Sequence, residues 1–521
     1  MNNIPGIFND VIGPVMRGPS SSHTAASWRI ARVCLDILNE PLKKAVINFD
    51  KDGAWAANYM EQGTVMGINA GLLGLNIIDD RMKFTEALAQ EMGVVISYGI
   101  SSFPTKHTNT VRLMLEGRNG KKIKIAAVSI GGGAFEIQQI DNFQVKIRGD
   151  YFEILIWNKN NDPISDDINT IVSQNALLFK SSDKNSTLIN LKSSKELRIE
   201  IIKRLKKNSV FDEITVINPI LPIISGNETD LPFNTIESLL EYAEKNKLTL
   251  GEMGLIYEKC RSGLSKKVLI KKMENIIDTI ENSIKTGLKG TVFKERILHR
   301  QSDLIKRAEE DGKILKNAVI NNIIAYVTAI MEAKSALEVI VANPTAGSCG
   351  TIGGVLKGVA GDLNSTRDEL INAYFAAGII GAYFAQGPGF SAEEHGCQVE
   401  CGAASGMAAA GIVQLMGGTA KEAVNAASLA IQNMIGLVCD PVADRVEVPC
   451  LGKNISAAMN ALSSATMACS GFDAVIPLEE VIQTVVRVGE QMPPSVKCTG
   501  KGGLSVTAAS IQIKEQLKRI V

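Results

Sequence analysis

The sequence predicts an α+β multidomain protein, with an N-terminal α/β domain, a ferredoxin-like middle domain and an all-α C-terminal domain. Three observations predict it. At 521 residues the chain has room for several hydrophobic cores. Short β-branched runs alternate with helical patterns only as far as Ile220. Charge then divides the remainder. About 29 charged residues fall in 241–320 against about 11 in 341–440, so a solvated helical surface precedes a helical interior.

The elements follow in order. Over 1–145, the runs KKAVINF, GVVISY, TVRLML and IKIAAVSI read as strands, and TAASWRIARVCLDIL and MKFTEALAQEM as helices, giving an α/β domain. Over 146–224 the order is strand YFEILIW, helix SDDINTIVS, strands ALLFKS and STLINLK, helix ELRIEIIKRLKK and strand EITVINPI. That β-α-β-β-α-β order is ferredoxin-like. The polar SGNETD stretch at 225–230 is the expected linker, and 232–521 is one helical unit that restarts with FNTIESLLEYAEKN.

Composition excludes several classes. Lys and Arg number 55, as do Asp and Glu, so no electrostatic footprint for nucleic acid or acidic membrane is expected. The opening MNNIPGIFNDVIGP has neither the basic start nor the apolar core of a secretory signal. Nine cysteines, an odd number spread through a long chain, do not suggest a secreted disulfide framework, and a cytoplasmic setting is expected. The uncharged stretch between Glu400 and Lys421 has the length of a membrane span. Its Gly, Ala and Ser content predicts a buried helix packed through small residues instead, and no membrane partner.

Chemistry gathers in three segments. Cys349, Cys397, Cys401, Cys439 and Cys450 stand in stretches punctuated by glycine and proline, and Gly396, Asp440, Pro441 and Pro449 flank three of them. Converging thiolates suit zinc or an iron–sulfur cluster, but without a Cys-x-x-Cys pair the spacing fits unrelated buried thiols equally well. In Gly18-Pro19-Ser20-Ser21-Ser22-His23-Thr24, Ser21 or Ser22 would cap the following helix. Four hydroxyls exceed what a cap needs, so a carboxylate site at the helix start is the equal alternative. The Asn343–Gly350 loop, NPTAGSCG, is either an anion cradle or a turn between helices. Ser129-Ile130-Gly131-Gly132-Gly133 matches no phosphate loop and reads as a turn or a tight backbone approach. His395, Cys34, Cys260 and Cys469 read as structural, whereas His107 fits either the surface or the substrate side.

Taken together and in this order, GPSSSHT, SIGGG, NPTAGSCG, HGCQVECGAASGMAAAG and CDPVADRVEVPC resemble the iron–sulfur-dependent L-serine dehydratases (L-serine ammonia-lyases). The layout resembles the β part, with its ACT-like domain, fused ahead of the α part, which makes the helical domain the catalytic one. The resemblance implies that Cys397, Cys439 and Cys450 hold three irons of a 4Fe-4S cluster whose fourth iron is open, and that pyridoxal phosphate (PLP) is not used. It implies conversion of L-serine to pyruvate and ammonia by a homodimer. His23 is the candidate general base with Ser22 beside it. Ser20, Ser21, Thr24, Thr345, Ala346, Gly347, Ser348 and Cys349 are expected to bind the substrate, with Cys401 as a reserve ligand. Alternatives are a lyase acting on another small β-substituted amino acid, or a silent amino-acid-binding paralogue with a structural metal.

Three segments depart from the family pattern. Glu61-Gln62-Gly63-Thr64-Val65 stands where the family has Gly-His-(Gly/His)-Thr-Asp, and Lys497-Cys498-Thr499 where Arg-Glu-Thr is common. Pro163-Ile164 replaces the Pro-Gly of the effector loop, which makes effector binding there doubtful.

Overall fold

Alternation of buried and solvent-facing side chains along Leu42–Asp50, Thr110–Gly117 and Lys122–Gly131 gives the first body its sheet. The computed structural model describes residues 4–159, 168, 176–196, 200, 202–203, 205 and 211–519. From the N-terminus come β1 (Val15–Arg17), α1 (Ala26–Leu38), β2 (Leu42–Asp50), α2 (Ala54–Asn58), α3 (Thr64–Leu72) and α4 (Thr85–Glu91). Strands β3 (Val95–Ser101), β4 (Thr110–Gly117), β5 (Lys122–Gly131), β6 (Ala134–Ile140) and β7 (Phe143–Ile147) follow. The sheet order is β3-β2-β4-β5-β6-β7, parallel only between β2 and β3. Helix α1 packs on it through the stripe Ile30, Val33, Cys34, Ile37 and Leu38, which joins Ile47, Leu113 and Ile125 in one core. The β6–β7 hairpin has no counterpart among the expected strands.

The second sheet contains β8 (Phe152–Lys159), β9 (Leu177–Ser182), β10 (Ser186–Ser193) and β11 (Glu213–Ile217), in the antiparallel order β11-β8-β10-β9. The expected helix at 165–173 and Pro163-Ile164 lie outside the described residues, apart from Ile168, as does most of the expected helix at 196–207.

The helical body contains α5 (Ile236–Asn246), α6 (Leu250–Ser262), α7 (Lys266–Lys289), α8 (Ala318–Ser335), β12 (Val339–Val341), α9 (Cys349–Asp362) and α10 (Arg367–Gln386). Then come α11 (Cys401–Leu415), α12 (Ala420–Gln432), α13 (Cys450–Cys469), α14 (Leu478–Gln491) and α15 (Ala508–Lys518). Thr235, Thr249, Thr366 and Thr419 start α5, α6, α10 and α12 with capping boxes, so the turns are written locally in the sequence. Helix α11 is buried from Cys401 to Val413. It packs so closely that a Cβ on Gly406 would lie 2.6 Å from Ile431 Cγ1. This is the close packing expected of the uncharged stretch. Among the described residues no helix is long and apolar enough to cross a membrane.

Two features bring the N-terminal segment into the helical body. Ile7, Phe8, Val11 and Ile12 are buried in its core, and β1 pairs antiparallel with β12, Val15 opposite Val341. The Gly131-Gly132-Gly133 turn then abuts the chain ahead of Cys397. All three glycines have positive φ, and a Cβ on Gly131 would lie 2.7 Å from the Ser391 nitrogen. The tight approach expected of this segment is therefore present, and it fixes how the sheet body meets the helical one.

Candidate metal and substrate site

Three chain turns bring thiols into one buried region, and the tight group there is Cys397, Glu400 and Cys439, without Cys450. Gly396, at φ 75°, turns the chain so that Cys397 opens a single helical turn before α11. Cys439 lies in the loop after α12, and Cys450 is the first residue of α13. All nine cysteines are free, and these three are buried. Cys397 Sγ, a Glu400 carboxylate oxygen and Cys439 Sγ lie within 4.8 Å of one another. The Cys397 thiol donates to Glu400 Oε2 at 3.7 Å. The neighbouring thiols of Cys397 and Cys498, and then burial, push the Cys439 thiol well above its ordinary range. Burial pushes Cys450 up to about 12, although Lys334 acts against it. Cys401 sits at the start of α11 with Asn454 Nδ2 at 3.8 Å, and burial followed by the neighbouring Cys397 raises its pKa too.

Charged groups surround these sulfurs. Burial and then Glu393 raise the Glu400 carboxyl to about 7, while hydrogen bonds from Thr345 and Cys397 and the charge of Lys334 pull the other way. Lys334 is fully buried and donates to the Val446 carbonyl. Lys453 donates to Val438 O and Asp440 Oδ1, each at 2.7 Å. Burial lowers its pKa, but Cys397, Asp440, Cys439 and Cys450 outweigh that and hold it charged. Two cations beside clustered thiols are the electrostatics that thiolates require.

The serine-rich turn lies against this cluster. Ser20, rather than Ser21 or Ser22, caps the Ser21–Ala25 turn that leads into α1, its hydroxyl accepting from the His23 nitrogen at 3.4 Å, and α1 itself has Ala25 at its N-cap and no side-chain cap. That frees the other hydroxyls for longer-range contacts. Ser22 Oγ donates to Glu393 Oε1 at 2.8 Å, Ser21 Oγ accepts from the Ala346 nitrogen at 3.2 Å, and Thr24 Oγ1 donates to Gln62 O at 3.3 Å. His23 is fully buried. Its Nδ1 lies 3.1 Å from both Ser20 Oγ and Ser22 Oγ, and its Nε2 lies 2.8 Å from Asn58 Oδ1. Burial lowers its pKa, opposed by Glu393 and Asn58. Asn58 Nδ2 in turn donates to Cys498 O at 3.2 Å, so the imidazole connects to the sulfur cluster through one amide.

The NPTAGSCG loop forms the remaining wall. Thr345 and Ser348 exchange hydrogen bonds at 3.1–3.3 Å, and a Cβ on Gly347 would lie 3.0 Å from Glu400 Oε1. Cys349 Sγ faces Met331 Sδ at 3.9 Å, so its side chain points into the core and only its backbone, at the start of α9, faces the loop. Asn343 is fully buried, yet neither its Oδ1 nor its Nδ2 has a partner among the described residues. A buried amide left open in this way is a donor–acceptor pair available to a ligand or water.

Residues 194–505, more than half of the chain, match the family described as serine dehydratase alpha chain. The chain belongs to that family. Over 285 residues it is 33% identical to the probable L-serine dehydratase, alpha chain, of Bacillus subtilis (strain 168), covering 55% of this chain and 95% of that one. It is 30% identical over 282 residues to the L-serine dehydratase, alpha chain, of Peptoniphilus asaccharolyticus, covering 54% and 97%. To L-serine dehydratase 1 of Escherichia coli (strain K12) it is 31% identical over 291 residues, covering 54% of this chain and 64% of that one.

The stretch that matches the serine dehydratase alpha chain family encloses every thiol of the cluster, whereas the serine-rich turn, Asn58 and Gln62 lie upstream of it. The structure therefore assembles the site from both parts of the chain. The donor set, buried free thiols beside a carboxylate and two lysines, suits a thiolate-bound metal centre. Sequence reasoning missed Glu393, Glu400, Asn58, Lys334 and the placement of Cys498. A signal existed for the two glutamates, since with Glu394 they are the only charged residues in 370–420. His107 Nε2 lies 3.4 Å from Glu394 Oε1, at the rim of the same loop. His395 lies against α14, where a Cβ on Gly489 would meet its ring, and its Nδ1 has no partner among the described residues. Cys34 is buried in the sheet-facing stripe of α1.

Proposed function

We propose that this protein is an L-serine ammonia-lyase that converts L-serine to pyruvate and ammonia with a 4Fe-4S cluster and without PLP. Cys397, Cys439 and Cys450 would hold the cluster. When bound, it supplies a Lewis-acidic iron, open at its fourth corner, that makes the substrate hydroxyl a better leaving group. The observation that carries this reading is the hydrogen-bonded path from the Ser22–His23 turn through Asn58 to the backbone of Cys498, whose side chain lies in one buried cluster with Cys397 and Cys439.

The chain's own residues account for the remaining steps. Ser20, Ser21 and Thr24, the Thr345–Cys349 backbone and the open amide of Asn343 would receive the carboxylate and ammonium. Asn58 gives its Nδ2 protons to Cys498 O, so its Oδ1 faces His23 and accepts from Nε2–H. That tautomer leaves the Nδ1 lone pair to remove the Cα proton. Glu393 Oε1, 3.8 Å from Nδ1, then stabilises the imidazolium. Loss of the Cα proton and the hydroxyl gives aminoacrylate, which tautomerises to the imine and hydrolyses to pyruvate and ammonia.

The strand order β11-β8-β10-β9 supports a ferredoxin-like, ACT-like unit over 146–224, between an α/β domain at 1–145 and the catalytic helical domain at 232–521. The free, buried thiols support a reducing, cytoplasmic setting. The test is anaerobic purification with iron and sulfide quantification and a pyruvate assay over serine, threonine and cysteine. Brown protein that turns over serine best is expected. Iron-loaded protein that turns over only another amino acid would replace the substrate, and colourless zinc protein without turnover would overturn the reading.

A further inference from the structure

A cleft of about 450 Å³ opens where the two sheet bodies and the helical body meet, and it shares no residue with the thiol cluster or the serine-rich turn. That volume is in the range of small-molecule sites. The first body contributes Trp28 and Arg29 of α1, and the second contributes residues 219–222, the chain that follows β11. From the helical body come Lys272 and Ile276 of α7, with Phe8 and Ile12 of the N-terminal segment.

The walls are held in place. Ile220 N and Leu221 N both donate to Gly149 O, at 2.8 and 3.0 Å, and Lys272 Nζ donates to Pro222 O at 3.1 Å. The Trp28 indole is anchored by Nε1 to Leu75 O at 2.9 Å. Arg29 is buried, and the one hydrogen bond its guanidinium makes among the described residues runs from Nη1 to Gly133 O at 2.7 Å. The rest of its fork remains for a ligand. Burial lowers its pKa to about 10, opposed by Asp10, so it stays charged at neutral pH. Asp10 and Asp150 border a smaller void that Arg29 also lines, but Oδ2 of each already accepts, from Gly6 N and from Ser225 Oγ. Among the described residues that line the cleft itself, none is acidic.

We propose that this cleft binds an organic monocarboxylate with an apolar tail and no amino group, of the class of the branched-chain α-keto acids. Arg29 would hold the carboxylate, and Lys272 would add charge at the rim. A guanidinium fork matches a carboxylate in shape and charge. Phe8, Ile12, Trp28 and Ile276 offer apolar surface to the tail. An ammonium would enter beside two cations with no carboxylate to pair it, so the amino acid of the same skeleton is rejected. A ligand that touches α1, residues 219–222 and α7 together stabilises all three bodies as one unit. The site asks nothing of the metal cluster or of the lyase reaction.

The experiment is isothermal titration calorimetry on the full chain, iron-loaded and colourless, with α-ketoisocaproate, L-leucine and inorganic phosphate. One equivalent of the keto acid should bind, equally in both preparations, and raise the denaturation midpoint. L-leucine and phosphate should each bind at least about tenfold more weakly. Arg29→Gln should abolish binding, and Lys272→Glu should weaken it about tenfold, the usual size of one lost charged contact. Should Arg29→Gln fail to fold, judged by circular dichroism, Lys272→Glu decides alone. Absence of binding, equal binding of L-leucine or phosphate, or an unchanged affinity in Lys272→Glu overturns the site and leaves the lyase reading intact. Failure to assemble a cluster overturns only the lyase reading, because the colourless protein should still bind the keto acid.

Discussion

Ser22 Oγ donates to Glu393 Oε1 at 2.8 Å, joining residues 371 positions apart in the chain. The bond links the serine-rich turn ahead of α1 to the loop that leads into Cys397. It also places a carboxylate oxygen 3.8 Å from the imidazole nitrogen that would act as base. Ser391 Oγ holds the other oxygen of Glu393 at 3.0 Å, so the carboxylate is oriented from both ends.

The first prediction concerns pH. Burial lowers His23 from 6.5, while Glu393 raises it. A base works when neutral, so the acid limb of kcat/KM should lie below pH 6.5. Glu393→Gln keeps an acceptor for Ser22 but removes the charge, so the limb should move to lower pH with a reduced plateau. Stability has the same sign. Just below pH 6.5 the unfolded chain binds a proton that folded His23 does not, so the contribution of His23 is lost as pH falls through that window. An acid limb that moves upward in Glu393→Gln would remove His23 from the base role.

Asn58 should matter as much as the groups nearer the substrate. It fixes the tautomer through Nε2 at 2.8 Å and contacts the thiol cluster only through a backbone carbonyl. Asn58→Leu should lower kcat by about 100-fold, the usual size of a lost general-base contribution. Iron content should remain at the parent level. A variant that loses both would show that Asn58 supports the cluster instead.

Gly131 tests the junction between the bodies. Alanine there meets both a φ of 91° and the Ser391 nitrogen at 2.7 Å. Gly131→Ala should therefore destabilise the protein by more than about 1 kcal/mol, read as a lower denaturation midpoint. Because Ser391 orients Glu393, turnover should fall as well. An unchanged midpoint would mean that the two backbones separate freely.

The strands of the first sheet that carry β-branched runs were legible, as were the capping threonines and the small-residue helix α11, because each is encoded by neighbouring residues. The β6–β7 hairpin was not foreseen, since AFEIQQI and FQVKI mix their apolar residues with glutamines. The thiol cluster was legible as residues but not as a place. Glu400 lies inside the HGCQVECG motif, beside Cys401, yet its role depends on Thr345 from another loop and on the buried Lys334. Cys498 was legible only as a departure. Its partners, Cys439 and Gln62, lie 59 and 436 positions away, and only the fold brings them together.

The final prediction separates ligands from neighbours. Cys439 shares a buried cluster with two other thiols, and its loop is tied to the 496–505 segment, whereas Cys401 begins a helix and contacts Asn454. Both sulfurs are buried within a few residues of the same cluster, so burial does not distinguish them. Their chain setting does, because a loop can turn a sulfur toward a shared centre while the first turn of α11 fixes its direction. Cys439→Ala should lose the visible absorbance, most of the bound iron and serine turnover together. Cys401→Ala should keep its colour and iron, with a modest loss of stability of about 1 kcal/mol from the vacated volume. Anaerobic iron assays beside turnover measurements on both variants check this. A colourless Cys401→Ala with an iron-replete Cys439→Ala would reverse the ligand assignment.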